Sequence, residues 1–119
     1  MTSLHDVYIN RVAAFLPNEP VTNDQMEEVL GMIGNTPSRV RKMILRSNAI
    51  KTRHYAINPA TRETTHTSTE LAVEAINDLI RQGMNVNEVS CLACGTSYPD
   101  QIMPGQGVMV HGLIPNAPR

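Results

Sequence analysis

Nine consecutive residues, VSCLACGTS at 89–97, carry no charge and lie between turn-forming residues on both sides. A strand with one wet face alternates apolar and polar side chains. A continuous small and apolar run fits a strand buried on both faces, as in a parallel sheet. This stretch predicts an α/β architecture, in a chain of 119 residues that suffices for one ordinary domain.

The run also holds both cysteines, Cys91 and Cys94, in a C-x-x-C spacing. A structural zinc site needs four ligands, usually two such pairs or a Cys pair with a His pair. The four histidines, His5, His54, His66 and His111, are scattered with no paired spacing. A redox pair would sit at a helix N-terminus, where the thiol pKa is lowered. In a strand, residues three apart face opposite ways. The pair therefore reads as two buried, chemically inert thiols.

The bulk composition narrows the class. Hydrophobic residues make up 41% and charged residues 18%, which places the chain among globular rather than disordered sequences. No run approaches the ~18 apolar residues of a membrane span, and MTSLHDVYIN lacks the pattern of a secretory leader. Two cysteines are too few for a disulfide scaffold, and a cytoplasmic setting is expected. There is no Trp and a single Phe, Phe15. That is a thin supply of large core side chains for a domain standing alone, partly offset by seven Met.

Along the chain, VYINRVAAF at 7–15 reads as a strand, ended by Pro17 and Pro20. Thr22, Asn23 and Asp24 offer cap oxygens to a helix, DQMEEVLGMIG, whose Met26, Val29, Leu30 and Ile33 form an apolar stripe and which Gly34 and Asn35 stop. Thr36-Pro37 opens a second helix, SRVRKMILRSN, with Val40, Met43 and Ile44 on one side and basic residues on the other. Residues 49–66 read as a short strand and an irregular loop. Thr67-Ser68-Thr69-Glu70 matches a capping box ahead of LAVEAINDLIRQG, with Gly83 to end the helix. After the 89–97 strand and a Tyr98-Pro99-Asp100 loop, Pro104 opens a glycine-containing helix, GQGVMVHGLI.

The net charge is −1, but it is unevenly placed. No Asp or Glu occurs from Val29 to Arg62, and that stretch holds seven of the ten basic residues. A local positive field of this kind suits a phosphate-bearing or acidic partner. The helix with Arg39, Arg41, Lys42 and Arg46 is the candidate binding element. With only Tyr55 nearby to stack on bases, nucleic acid ranks below a carrier protein or a coenzyme phosphate. No G-x-S-x-G and no G-x-x-x-x-G-K occurs, and one G-x-G at 105–107 is a weak phosphate signal.

The order of these pieces is informative as a whole. A strand is followed by Leu16-Pro17, then T-N-D at a helix head, a basic helix ending L-R-S-N, AIKTRHYA, a capped helix, an apolar strand ending T-S, and a Pro-led helix. This order resembles the N-terminal part of β-ketoacyl-acyl carrier protein synthase III and its thiolase-fold relatives, over Val7 to Arg119. The 31–66 region is similar to the dialkylresorcinol and aryl-polyene branch.

The resemblance implies a layered α-β-α-β-α fold, of which residues 1–119 are the first, incomplete part. It implies an acyltransferase that condenses an acyl thioester with a malonyl- or ketoacyl-type thioester. The carriers would be coenzyme A or the phosphopantetheine of acyl carrier protein. It places no catalytic residue here. The family's nucleophilic cysteine follows the segment matching HGLIPNAPR, and its His and Asn come later still, so the chain alone is expected to be inactive. Arg46 matches a basic residue near the coenzyme phosphates, with Arg39, Arg41 and Lys42 extending the field. Lys42 stands where some members carry an adenine-stacking Trp. Met103 would reach across a homodimer into the partner's acyl pocket, with Ser97 and Ile102 beside it. The expected partners are the remainder of the enzyme or a complementing chain, a second copy, and acyl carrier protein or acyl-CoA, without membrane or nucleic acid. The contrasting expectation is a small stand-alone α/β module for an acidic partner or nucleic acid.

Overall fold

The structure is a computed structural model, and it describes residues 6–118. His5 and Arg119, both used in the sequence argument, lie outside the described residues. The chain mixes helix and sheet in the order β1 (Val21–Thr22), α1 (Met26–Leu30), α2 (Arg41–Asn48), β2 (Thr52–Arg53), α3 (Ser68–Arg81) and α4 (Gln106–Leu113), with a 3-10 turn at Val86–Glu88. This is compatible with an α/β class. The sheet is small: β1 and β2 pair antiparallel, Val21 opposite Arg53 and Thr22 opposite Thr52.

The long helix forms where local signals agree. The Thr67 hydroxyl accepts from the Glu70 N–H at 3.2 Å, and the Glu70 carboxylate accepts from the Thr67 N–H at 2.7 Å. This is the capping box read from the sequence. At the other end Gly83, at φ 88°, donates to the Ile80 carbonyl while Met84 N–H reaches Leu79. These are the two bonds of a Schellman motif, which needs a left-handed residue just past the helix. The α3 and α4 helices pack on one another. Val73 and the fully buried Val110 belong to these two helices.

Two helices are shorter than their stripes predict. The α1 helix ends at Leu30 rather than running to Gly34. Gly31 takes φ 87°, and the Arg62 guanidinium donates to the Val29 carbonyl at 3.0 Å, taking up a carbonyl that a longer helix would use. Gly34 and Asn35, both at positive φ, then form a tight turn closed by the Ile33–Thr36 bridge. The basic helix begins at Arg41 rather than at Pro37, and the Ser38 N–H ahead of it donates to the Glu27 carboxylate at 2.8 Å.

Neither of the two expected long strands forms. Residues 7–15 and 89–97 are irregular, and no other described segment pairs with them. The first is tied down by Arg11 Nε donating to the Gln82 carbonyl, and by the Phe15 ring lying 5.3 Å from that of His66. Val7 and Ile9 are 94% and 87% exposed. Cys91 and Cys94, expected to be buried, are both exposed free thiols. The physical reason is common to all four observations. Apolar pattern creates a demand for cover, and a strand satisfies its backbone only beside another strand.

The consequence is an open molecule. Its extents are 62 × 33 × 28 Å and its radius of gyration is 18.8 Å, against about 13–14 Å for a compact domain of this length. The surface is 9679 Å², against about 6,400 Å² for a folded monomer of this mass. Among the described residues no helix is long and apolar enough to cross a membrane.

Candidate functional site

The basic helix is held by an acid from the preceding helix. Arg41 pairs with Glu27 at 2.9 Å, and the two side chains are only 17% and 13% exposed. Arg41 therefore fastens α2 to α1, with its charge already partnered. Lys42 and Arg46, one turn apart, stay exposed, and no described carboxylate lies within ion-pair distance of either. With Arg41, Asn23, Asp24 and Leu45 they line a shallow cleft of about 270 Å³. Arg39 is separated from this cleft. It borders a larger groove of about 650 Å³ between α1 and α2, whose walls include Met26, Leu30, Ile33 and Ile44.

The junction beneath this cleft is polar and specific. Arg53 donates to Asn23 Oδ1 at 2.6 Å, and Asn23 Nδ2 donates to the Ile50 carbonyl at 2.8 Å. His54 Nδ1 lies 3.2 and 3.0 Å from the Pro17 and Asn18 carbonyls, so it must carry the proton it donates there. Arg53 and His54 thus fix the backbone that carries the basic face, rather than facing a ligand.

Ser97, Ile102 and Met103 sit together on the loop before α4, far out in solvent, with Ile102 and Met103 89% and 81% exposed. The loop is anchored through a residue that sequence reasoning missed. Asp100 Oδ1 accepts from the Ser68 N–H at 2.7 Å, and Oδ2 accepts from the Thr69 N–H at 2.8 Å and from the Thr69 hydroxyl. That hydroxyl holds the Asp100 carboxyl below its ordinary value. Desolvation opposes the shift, and the backbone N–H groups of Thr69 and Ser68 reinforce it. The only signal in the sequence was the run of hydroxyl residues at 67–69, which says nothing about a carboxylate 32 residues away.

The two thiols do not form a centre. No group of three or more His, Cys, Asp or Glu side chains suited to a metal exists among the described residues. Cys91 borders an apolar groove of about 370 Å³ with Ile76, Leu79, Leu92 and Ile114, and His111 lines the same groove with its Nε2 2.9 Å from the Pro118 carbonyl.

No protein-family model matches the chain. The chain is 30% identical over 120 residues to a β-ketoacyl-[acyl-carrier-protein] synthase III of Koribacter versatilis, a match that covers 98% of this chain and 32% of that enzyme. The chain thus spans about a third of the length of the curated relative it matches. The match supports a distant relationship to synthase III, running almost end to end through the described residues.

Proposed function

We propose that this chain forms the first part of the N-terminal half of a thiolase-like condensing enzyme, and that it supplies the carrier-facing helix and the dimer loop of that enzyme. The single observation that carries the reading is the similarity to a synthase III along 98% of the chain. The open apolar surface agrees with it. Val7, Ile9, Val12, Ile102 and Val108 are all at least 65% exposed, which suits faces that further polypeptide covers. In such an enzyme a cysteine thiolate takes the acyl group from a thioester, and His and Asn support decarboxylation of a malonyl-type thioester and attack of the resulting carbanion. Those groups belong to the other two-thirds. The contribution here is electrostatic and steric.

Within this reading Lys42 and Arg46 meet the phosphate of a phosphopantetheine carrier, whether acyl carrier protein or coenzyme A. Arg41 holds their helix in place, and Arg39 extends the field toward the α1–α2 groove. Met103, flanked by Ser97 and Ile102, enters the acyl pocket of a second copy. The setting is cytoplasmic, and the chemistry belongs to fatty acid or polyketide-like synthesis.

The test is titration of the chain with holo-acyl carrier protein and, separately, with coenzyme A. Reversing both exposed charges, Lys42→Glu with Arg46→Glu, weakens carrier binding by about tenfold, since exposed pairs contribute up to about 1 kcal/mol each. The unmodified affinity falls as salt rises. Binding that ignores both the reversals and the salt overturns the assignment of this face.

A further inference from the structure

We infer that Asp100 is a positioning residue: its carboxylate, bridging the Ser68 and Thr69 N–H groups at the head of α3, clamps the 97–104 loop so that Ile102 and Met103 project in one fixed orientation.

The four N–H groups at the start of α3 show why the clamp is built in. A helix start leaves its first amides without intrahelical partners. Thr67 N–H goes to the Glu70 carboxylate and Glu70 N–H to the Thr67 hydroxyl, so the helix's own residues satisfy two. The remaining two, on Ser68 and Thr69, are satisfied by Asp100 from across the fold. Thr69 adds its hydroxyl to the same carboxylate oxygen and is itself 4% exposed. The bonds are charge-assisted, which makes them the strong kind.

Among the described residues, every long-range hydrogen bond that reaches residues 96–106 ends at this point. Besides the Asp100 bonds there is, among the described residues, only Gln106 Nε2 donating to the Ser68 hydroxyl at 3.4 Å, and Asp100 N–H in turn donates to Gln106 Oε1. The other side-chain bond in the loop, Tyr98 N–H to Thr96 Oγ1, is local. Gly95 and Gly105 bracket the loop with open space around both. The nine residues between these glycines are thus held near their middle by one carboxylate. Ile102 and Met103 follow two and three residues after the clamp, and their direction is set by it.

What the fixed side chains do to a partner's acyl pocket rests on the function proposed above; the clamp itself does not. Hydrogen–deuterium exchange of the whole chain tests the clamp. Asp100→Ala speeds exchange of residues 96–105 by about fivefold or more, the scale of a lost helix cap. Exchange of residues 72–81 stays unchanged. Thr69→Val does the same without touching Asp100, and Thr69→Ser, which keeps the hydroxyl, restores slow exchange. If the loop exchanges equally fast in all four proteins, or if the body of α3 loosens as much as the loop, the inference is wrong. The second arm combines the chain with a polypeptide supplying the remaining two-thirds of a synthase III. Asp100→Ala then lowers kcat/KM for the preferred acyl primer more than for shorter ones. An unaltered primer preference in an active assembly overturns the positioning role. An inactive assembly of the unmodified chain counts against the proposed function and leaves the exchange result to decide on the clamp.

Discussion

Substituting Ile9 separates an interior segment from an ordinary exposed one. Ile9 is 87% exposed, and its neighbours Val7 and Tyr8 are 94% and 73% exposed, so three successive apolar residues face solvent on both sides of the chain. If further polypeptide covers this segment, Ile9 gains nearly all of the about 1.5–3 kcal/mol that full burial of such a side chain provides. Ile9→Lys forfeits that gain and adds the several kcal/mol of desolvating an unpartnered ammonium. A combined loss of about 4 kcal/mol corresponds to a roughly thousandfold drop in affinity for the complementing polypeptide. Ile9→Val removes one methylene, which in a buried site costs about 0.5–1.5 kcal/mol and predicts only a few-fold drop. The assay is calorimetric titration of each variant with a polypeptide covering the other two-thirds of a synthase III, alongside thermal melting of the chain alone. The melting temperature should not move, because Ile9 lies outside the packed α3–α4 pair. Equal affinity for the lysine variant and the unmodified chain would refute the reasoning and leave 7–15 as a naturally exposed arm.

Two further outcomes follow from local geometry. Glu27 serves Arg41 at 2.9 Å and the Ser38 N–H at 2.8 Å, so Glu27→Ala should destabilise the α1–α2 region by about 1–3 kcal/mol in denaturant titration. A double-mutant cycle with Arg41→Ala should return a coupling of at least about 0.5 kcal/mol, and a coupling indistinguishable from zero would remove the pair from the argument. Asp100 contributes to stability with a fixed sign of pH dependence, because its folded-state pKa lies below the ordinary 3.8. The contribution is fully present above the ordinary value and is lost as pH falls through the lowered one. Melting of the unmodified chain should therefore show an acid-side drop that Asp100→Asn lacks, and identical profiles would contradict it.

Sequence and structure agree where a signal is local. Thr67, Glu70 and Gly83 name both ends of α3 within a few residues of chain, and the helix between them forms as read. Pro104 and Gly105 likewise mark the entry to α4, which starts at Gln106. The pattern misleads where a distant group intervenes. Arg62 reaches the Val29 carbonyl at the end of α1, and Glu27 takes the Ser38 N–H ahead of α2. Neither distance is legible in a 3.6-residue period. For the same reason Arg39, Arg41, Lys42 and Arg46 look equivalent in sequence. The structure separates a partnered Arg41, and an Arg39 on the α1–α2 groove, from Lys42 and Arg46 on the smaller cleft. The segments 7–15 and 89–97 show a different limit. Their composition records a demand for burial, while pairing depends on chain that need not be adjacent in sequence.

The size of the uncovered surface restricts what could cover it. The excess over a folded monomer of this mass is about 3,300 Å². A bound coenzyme or a short peptide would hide only a fraction of that. A standard docking partner takes about 800 Å² from each side, and only obligate assemblies reach totals of 2,000–5,000 Å². A small binding module meeting an acidic partner through α2 would leave Val7, Ile9, Val12, Tyr98 and Ile102 in water, because none of them lies on that face. The exposed apolar residues are instead spread over the N-terminal segment, the loop after 97 and α4, where Val108 and Leu113 are 65% and 53% exposed. Cover on that scale, reaching several elements at once, fits the layer of polypeptide proposed above. A chain that matches one third of a synthase III from end to end has such a layer in the remaining two-thirds of its relative. The area argument thus favours the proposed reading over the small binding module.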